Sequence, residues 1–191
     1  MKNLNDIKII FLAGMSESGK STVGMFLEKE LNYKRIKIIQ IEKVLLENLG
    51  FPISEKTSKE EFNDLLIYLH SQKDTYSNFL KIIYALSKSK NIVLESLYRS
   101  DLFIQIQKLH PKTFCLYLEA DKEKRIAREF NKIKKNQQIS FEEMQKTFEQ
   151  KENFKQKHNA HLVKDVATHI VNNNDNLNNL LAKIKEIEAK L

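Results

Sequence analysis

The sequence predicts an α/β domain of three layers, with helices on both faces of a five-stranded parallel sheet. Strand-like apolar runs alternate with helical stripes along the chain, a glycine-rich phosphate-binding motif stands between the first strand and the first helix, and no repeat or linker interrupts the order. In such a sheet ligand binds at the carboxyl ends of the strands.

Ile7, Ile9, Ile10, Phe11, Leu12 and Ala13 make the first strand run, which breaks at Gly14. Val23, Phe26, Leu27 and Leu31 then form one helical stripe. A second strand is expected over 33–41, on Ile36, Ile38, Ile39 and Ile41, and a short helix over 42–49 stopped by Gly50 and Pro52. Ser58 with Glu61 three residues on reads as a capping box, leading into Phe62, Leu65, Leu66 and Leu69. A further helix starts near Asp74 and carries Phe79, Ile82, Ile83 and Leu86. Residues 42–89 are therefore expected as a helical insertion between two strands.

The third strand is expected over 91–97, a helix over 102–109, and the fourth strand over 113–118 after Pro111. A helix over 121–130, a polar basic connection over 131–138 and a Ser140-capped helix over 141–154 follow. Residues 169–172 make the fifth strand. A packing helix closes the chain, with Leu177, Leu180, Leu181, Ile184 and Ile187 on one face.

A chain of 191 residues, 41% hydrophobic and 30% charged, is expected as one domain, residues 1–191, with a core that needs no disulfide. No stretch approaches the ~18 apolar residues of a membrane span, and the N-terminal run is too short for a secretory signal, so a cytoplasmic location without membrane contact is expected. Cys115, the single cysteine, reads as a small core residue. His110, His158, His161 and His169 show no metal-ligand spacing. The net charge of +7 is spread along the chain without a basic block interleaved by aromatics, which argues against nucleic acid as partner. Oligomeric state leaves no mark in the sequence.

Residues 14–21 fit G-x-x-x-x-G-K-[ST]. Glycine lets the backbone curl so that its N–H groups face inward, and the following helix adds its positive dipole end. Gly14, Met15, Ser16, Glu17, Ser18, Gly19, Lys20, Ser21 and Thr22 are the expected polyphosphate contacts. Lys20 would reach the β- and γ-phosphates and the Ser21 hydroxyl a Mg²⁺ ion. Only four residues are arginine: Arg35, Arg99, Arg125 and Arg128. Each bears on the reading, because the planar guanidinium alone offers phosphate a rigid fork.

The order of strand, phosphate loop, helical insertion, strand ending in an acid and Arg-bearing lid resembles the nucleoside monophosphate kinase group of P-loop proteins, with the dephospho-CoA kinases as relatives. That resemblance implies a P-loop NTPase fold with a helical acceptor-binding insertion and a helical lid at about 125–155. It implies ATP and Mg²⁺ as cofactors and a nucleotide-like small-molecule phosphoryl acceptor. Glu95-Ser96-Leu97-Tyr98-Arg99 is similar in spacing to the Asp-Gly-Phe-Pro-Arg of adenylate kinases. Glu95 would then be a Mg²⁺-shell or base residue and Arg99 the clamp on an acceptor phosphate. The other reading leaves Glu95 at a solvated strand end and Arg99 in a surface ion pair. Arg125 and Arg128 share a helix face and would neutralise charge on the transferred group, or else pair with Glu123 and Glu129.

Gln40 stands where dephospho-CoA kinases carry a base, Glu42 holds the second acidic position, and Leu45 stands where adenylate kinases carry an arginine. Glu42 as an ordinary helix N-terminal acid is the other reading. The far side of the lid offers Lys146 and Lys151 but no arginine. Transfer to a hydroxyl, and a nucleotide-binding module without turnover, are the competing functions. The lack of N-K-x-D, and of D-x-x-G after a strand, argues against a switch GTPase.

Overall fold

The computed structural model describes residues 4–134 and 140–191. In chain order its main elements are β1 (Ile9–Ala13), α1 (Lys20–Glu30), β2 (Lys34–Lys37), α2 (Ile38–Asn48), α3 (Lys59–Ser71), α4 (Thr75–Ser87) and β3 (Ile92–Leu97). There follow α5 (Ser100–Leu109), β4 (Thr113–Glu119), α6 (Lys122–Lys134), α7 (Phe141–Lys157), β5 (His169–Asn172) and α8 (Leu177–Glu188).

β1 is apolar and buried at all five positions, as a central parallel strand covered on both faces must be. It pairs β3 on one side and β4 on the other; β2 and β5 form the edges, and every pairing is parallel. The order is β2-β3-β1-β4-β5. Ile9, Phe11 and Ala13 turn to the face where Ile41, Phe79, Ile83 and Phe103 pack, from α2, α4 and α5. Ile10 and Leu12 turn the other way, onto Val23 and Leu27 of α1 and Leu180 and Ile184 of α8. The three-layer α/β fold with a five-stranded parallel sheet is as the sequence predicts.

The second strand is shorter than expected: it ends at Lys37, and Ile38 already begins α2. Ile38, Ile41, Leu45 and Leu46 are buried, a helical spacing, whereas Ile39 is exposed. The Gln40 side chain accepts a hydrogen bond from the Lys37 backbone N–H at 3.2 Å and so caps the new helix. Gln40 and Glu42 thus belong to α2 and not to a strand end. Of the expected basic connection, residues 131–134 extend α6, and 135–138 lie outside the described residues.

β3 carries an irregularity at its carboxyl end. The register against β1 jumps from Leu12–Glu95 to Ala13–Leu97, passing over Ser96, whose φ of 71° is left-handed. The bulge sets Ser96 and Tyr98 at the sheet edge, where both line the cleft of the phosphate loop. Among the described residues, no helix is long and apolar enough to cross a membrane.

Candidate active site

The loop from Gly14 to Gly19 is shaped by positions that a side chain could not fill. Gly14 has φ 127° and a Cβ there would lie 2.3 Å from the Leu118 carbonyl oxygen; at Gly19, with φ 106°, it would lie 2.4 Å from Asn173 Nδ2. Asn173, just beyond β5, donates from that amide to the Ser18 carbonyl at 2.8 Å and fastens the loop from behind.

Lys20 begins α1 and is turned back over the loop, donating to the carbonyls of Gly14 at 2.8 Å and Met15 at 2.7 Å. Burial, reinforced by the nearby Lys155 ammonium, pushes its pKa down to about 7 against the pull of Glu17, Glu152 and Glu95. A polyphosphate entering here would meet a desolvated cation whose charge it stabilises. Ser21 and Thr22, in the first turn of α1, line the same cleft of about 610 Å³, which Lys132, Lys151 and Lys155 help to wall.

Arg125 and Arg128 reach the loop from α6, one turn apart. Arg125 donates to the Ser16 carbonyl at 3.1 Å and to the Ala120 carbonyl at 3.0 Å, and forms a buried ion pair with Glu152 of α7. Arg128 bridges the Glu17 carbonyl at 3.2 Å and the Asn173 carbonyl at 2.7 Å. Both guanidinium groups are therefore engaged with backbone that shapes the loop, and neither pairs with Glu123 or Glu129. Glu129 pairs with Lys151, and Glu17 with Lys132.

Glu152 escapes sequence reasoning. Its carboxylate accepts from the Ser16 backbone N–H at 2.9 Å as well as from Arg125, so α7 is tied to the phosphate loop itself. Burial would raise its pKa, but the hydrogen bonds from Arg125 and Ser16 outweigh burial and hold the carboxyl below its usual range. A signal was present: Met144, Phe148 and Glu152 continue one buried stripe at four-residue spacing, in which an acid needs a partner. Lys155, half-buried on the same helix with its ammonium 5.6 Å above the Tyr98 ring, also escapes it. Burial lowers its pKa, with Glu152 and Glu17 opposing and Arg125 and Lys151 adding.

Glu95 is only 1% exposed, and Arg35 occupies both of its oxygens at 2.7 and 3.3 Å. It packs against α1 at Gly24, where a Cβ would lie 2.0 Å from Glu95 Oε1. Arg99 stands apart from the phosphate loop. It lines an adjoining cavity of about 310 Å³, together with Glu42, Phe62, Tyr98 and Lys155, and binds Asp101 at 3.1 and 3.3 Å. Tyr76 donates to the same Asp101 at 3.1 Å. Cys115 is buried in β4, with its thiol pushed up to about 12 by burial.

A five-stranded parallel sheet in this order, with a glycine-shaped loop and a buried lysine at its carboxyl edge, defines a P-loop kinase-like fold. The chain belongs to the AAA domain family, whose pattern matches residues 10–150. No curated protein matches the sequence. Among solved structures, shikimate kinase from Acinetobacter baumannii in complex with shikimate is 18% identical, with a TM-score of 0.57 over 98% of this chain and 96% of its own. Shikimate kinase from Bacteroides thetaiotaomicron is 14% identical, with a TM-score of 0.51 over 96% and 97%. An uncharacterized protein from Eubacterium ventriosum ATCC 27560 is 10% identical, with a TM-score of 0.61 over 96% and 99%. At these identities the likeness is one of fold.

Proposed function

We propose that the chain is an ATP-dependent phosphotransferase that passes the γ-phosphoryl group to a nucleotide-type small molecule. The observation that carries this reading is a pair of adjoining compartments. One is basic and built around the phosphate loop; the other is lined by Arg99 and Lys37 among aromatic and apolar side chains, and the two share Lys59, Ser96, Tyr98, Phe154 and Lys155 as walls. A donor polyphosphate and a phosphorylated acceptor with a flat base fit these linings, and such adjacency is what in-line transfer needs. Residues 42–89 serve as the acceptor-binding insertion and about 125–155 as the lid.

Mg²⁺ fits this arrangement as a companion of the nucleotide. Ser21 is the side chain that would hold it, whereas Glu95, engaged by Arg35, would act at most from behind. When bound, the ion supplies charge neutralisation on the phosphates. Lys20 would hold the donor's phosphates, the loop N–H groups would cradle them, and Arg125 and Arg128 would keep the loop in shape. A phosphate acceptor needs no base, only orientation, and Arg99 supplies the charge for it.

One observation favours a second reading, transfer to a hydroxyl. The Glu42 carboxylate lines the acceptor cavity and lies 3.0 Å from His70 Nε2, so a fixed carboxylate stands ready to orient a hydroxyl proton. Arg99→Ala separates the two readings. It raises the acceptor KM about tenfold with the ATP KM unchanged if Arg99 grips an acceptor phosphate. An unchanged acceptor KM moves the assignment to the hydroxyl reading, in which Glu42→Gln is the damaging substitution.

A further inference from the structure

Of the cations on the two lid helices, Lys146 is exposed and lines neither compartment, and four others are already engaged. Arg125 is held by Glu152 and the Ser16 carbonyl, Arg128 by two backbone carbonyls, Lys132 by Glu17 and Lys151 by Glu129. Lys155 differs from all of them. It is half-buried, and among the described residues no carboxylate lies within ion-pair distance of its ammonium. It borders both the phosphate cleft and the acceptor cavity. Its ammonium sits over the Tyr98 ring, which positions the side chain without neutralising it.

We infer that Lys155 is the cation that meets the γ-phosphoryl group of the donor at the junction of the two compartments. This inference rests on the phosphotransferase reading and adds to it the residue that takes the part expected of the lid arginines. A half-buried ammonium without an anionic partner is costly in the empty protein, and a phosphoryl group at the junction removes that cost. Lys155 and Lys20 also repel one another across the cleft, which a shared anion reverses. Lysine gives charge but no fork, so it suits a group that must leave one compartment for the other better than one held in place.

The test compares ATP with ADP, which differ by the group in question, on the full chain with Mg²⁺ present. Calorimetric titration of Lys155→Met should give an ADP Kd within about twofold of wild type and an ATP Kd weakened about tenfold, with Lys155→Arg recovering most of the loss. Equal weakening for both nucleotides, or no weakening for either, overturns the inference. Loss of all binding together with a lowered Tm would mark a structural role and also overturn it. A turnover assay on wild type runs alongside. If it yields no phosphorylated acceptor, the phosphotransferase reading fails, while the ATP–ADP contrast still decides whether Lys155 meets the γ-phosphate.

Discussion

Arg35 of β2 closes on Glu95 of β3 through two hydrogen bonds, 2.7 Å from Nε and 3.3 Å from a terminal nitrogen, across neighbouring parallel strands. Glu95 is almost fully buried beneath α1, and Gly24 is the helix position that leaves it room. The pair packs against α1 one turn beyond Lys20 and Ser21.

Removing one member of this pair leaves the other charge stranded. We expect Arg35→Met to cost about 3 kcal/mol, and the double variant Arg35→Met/Glu95→Gln to recover much of it, because neutral partners remove the uncompensated carboxylate. Gly24→Ala should lose about 1–3 kcal/mol despite alanine's better helix propensity, since the added methyl meets Glu95. Urea midpoints of the variants measure both effects.

The depressed Lys20 pKa of about 7 sets a pH dependence for nucleotide binding. A bound polyphosphate raises that pKa, so protons are taken up on binding. Affinity gained from the charged lysine is therefore fully present below about pH 7 and is lost as pH rises above it. We expect the ATP Kd to weaken several-fold between pH 7 and 8.5, and titrations in buffers of different ionisation enthalpy to report proton uptake. In Lys20→Met both signals should vanish, and a pH-dependent Kd in that variant would assign the titration to another group.

Glu152 accepts the backbone N–H of Ser16 in the phosphate loop and so places a carboxylate beside the position proposed for the nucleotide's phosphates. Glu152→Gln keeps a carbonyl acceptor for that N–H and removes the charge. We expect the ATP Kd to tighten about threefold to tenfold, with a modest loss of stability because Arg125 loses its buried partner. A weaker ATP Kd with an unchanged Tm would instead show that the Glu152–Arg125 pair organises the loop for binding.

How much of this was legible beforehand depends on the distance over which each feature is encoded. The phosphate loop is local, and glycine spacing next to an apolar run suffices to read it. The end of β2 was obscured because Ile36, Ile38, Ile39 and Ile41 satisfy the strand and helix periods about equally; only Leu45 and Leu46 break the tie, and they lie a turn further on. Arg99 was legible because it follows β3 closely, whereas Glu42, expected just past the end of a strand, stands inside α2. The engagement of Glu95 by Arg35 was not read, since nothing local couples β2 to β3, although an unexplained glycine inside a helix, Gly24, marked the spot. Glu152 and Lys155 lie more than 130 residues from the loop they attend. Their only trace is the polar continuation of the apolar stripe on α7.

The most direct measurement is phosphoryl transfer itself. The chain is incubated with Mg²⁺ and ATP labelled in the γ-phosphoryl group, against a panel of nucleoside monophosphates and hydroxyl acceptors, and products are read by mass spectrometry. We expect label in one acceptor with ADP formed in equal amount, and a rate about a hundredfold lower or less in Lys20→Met. ATP bound at the loop with no label in any acceptor would contradict the phosphotransferase reading and leave a nucleotide-binding module in its place.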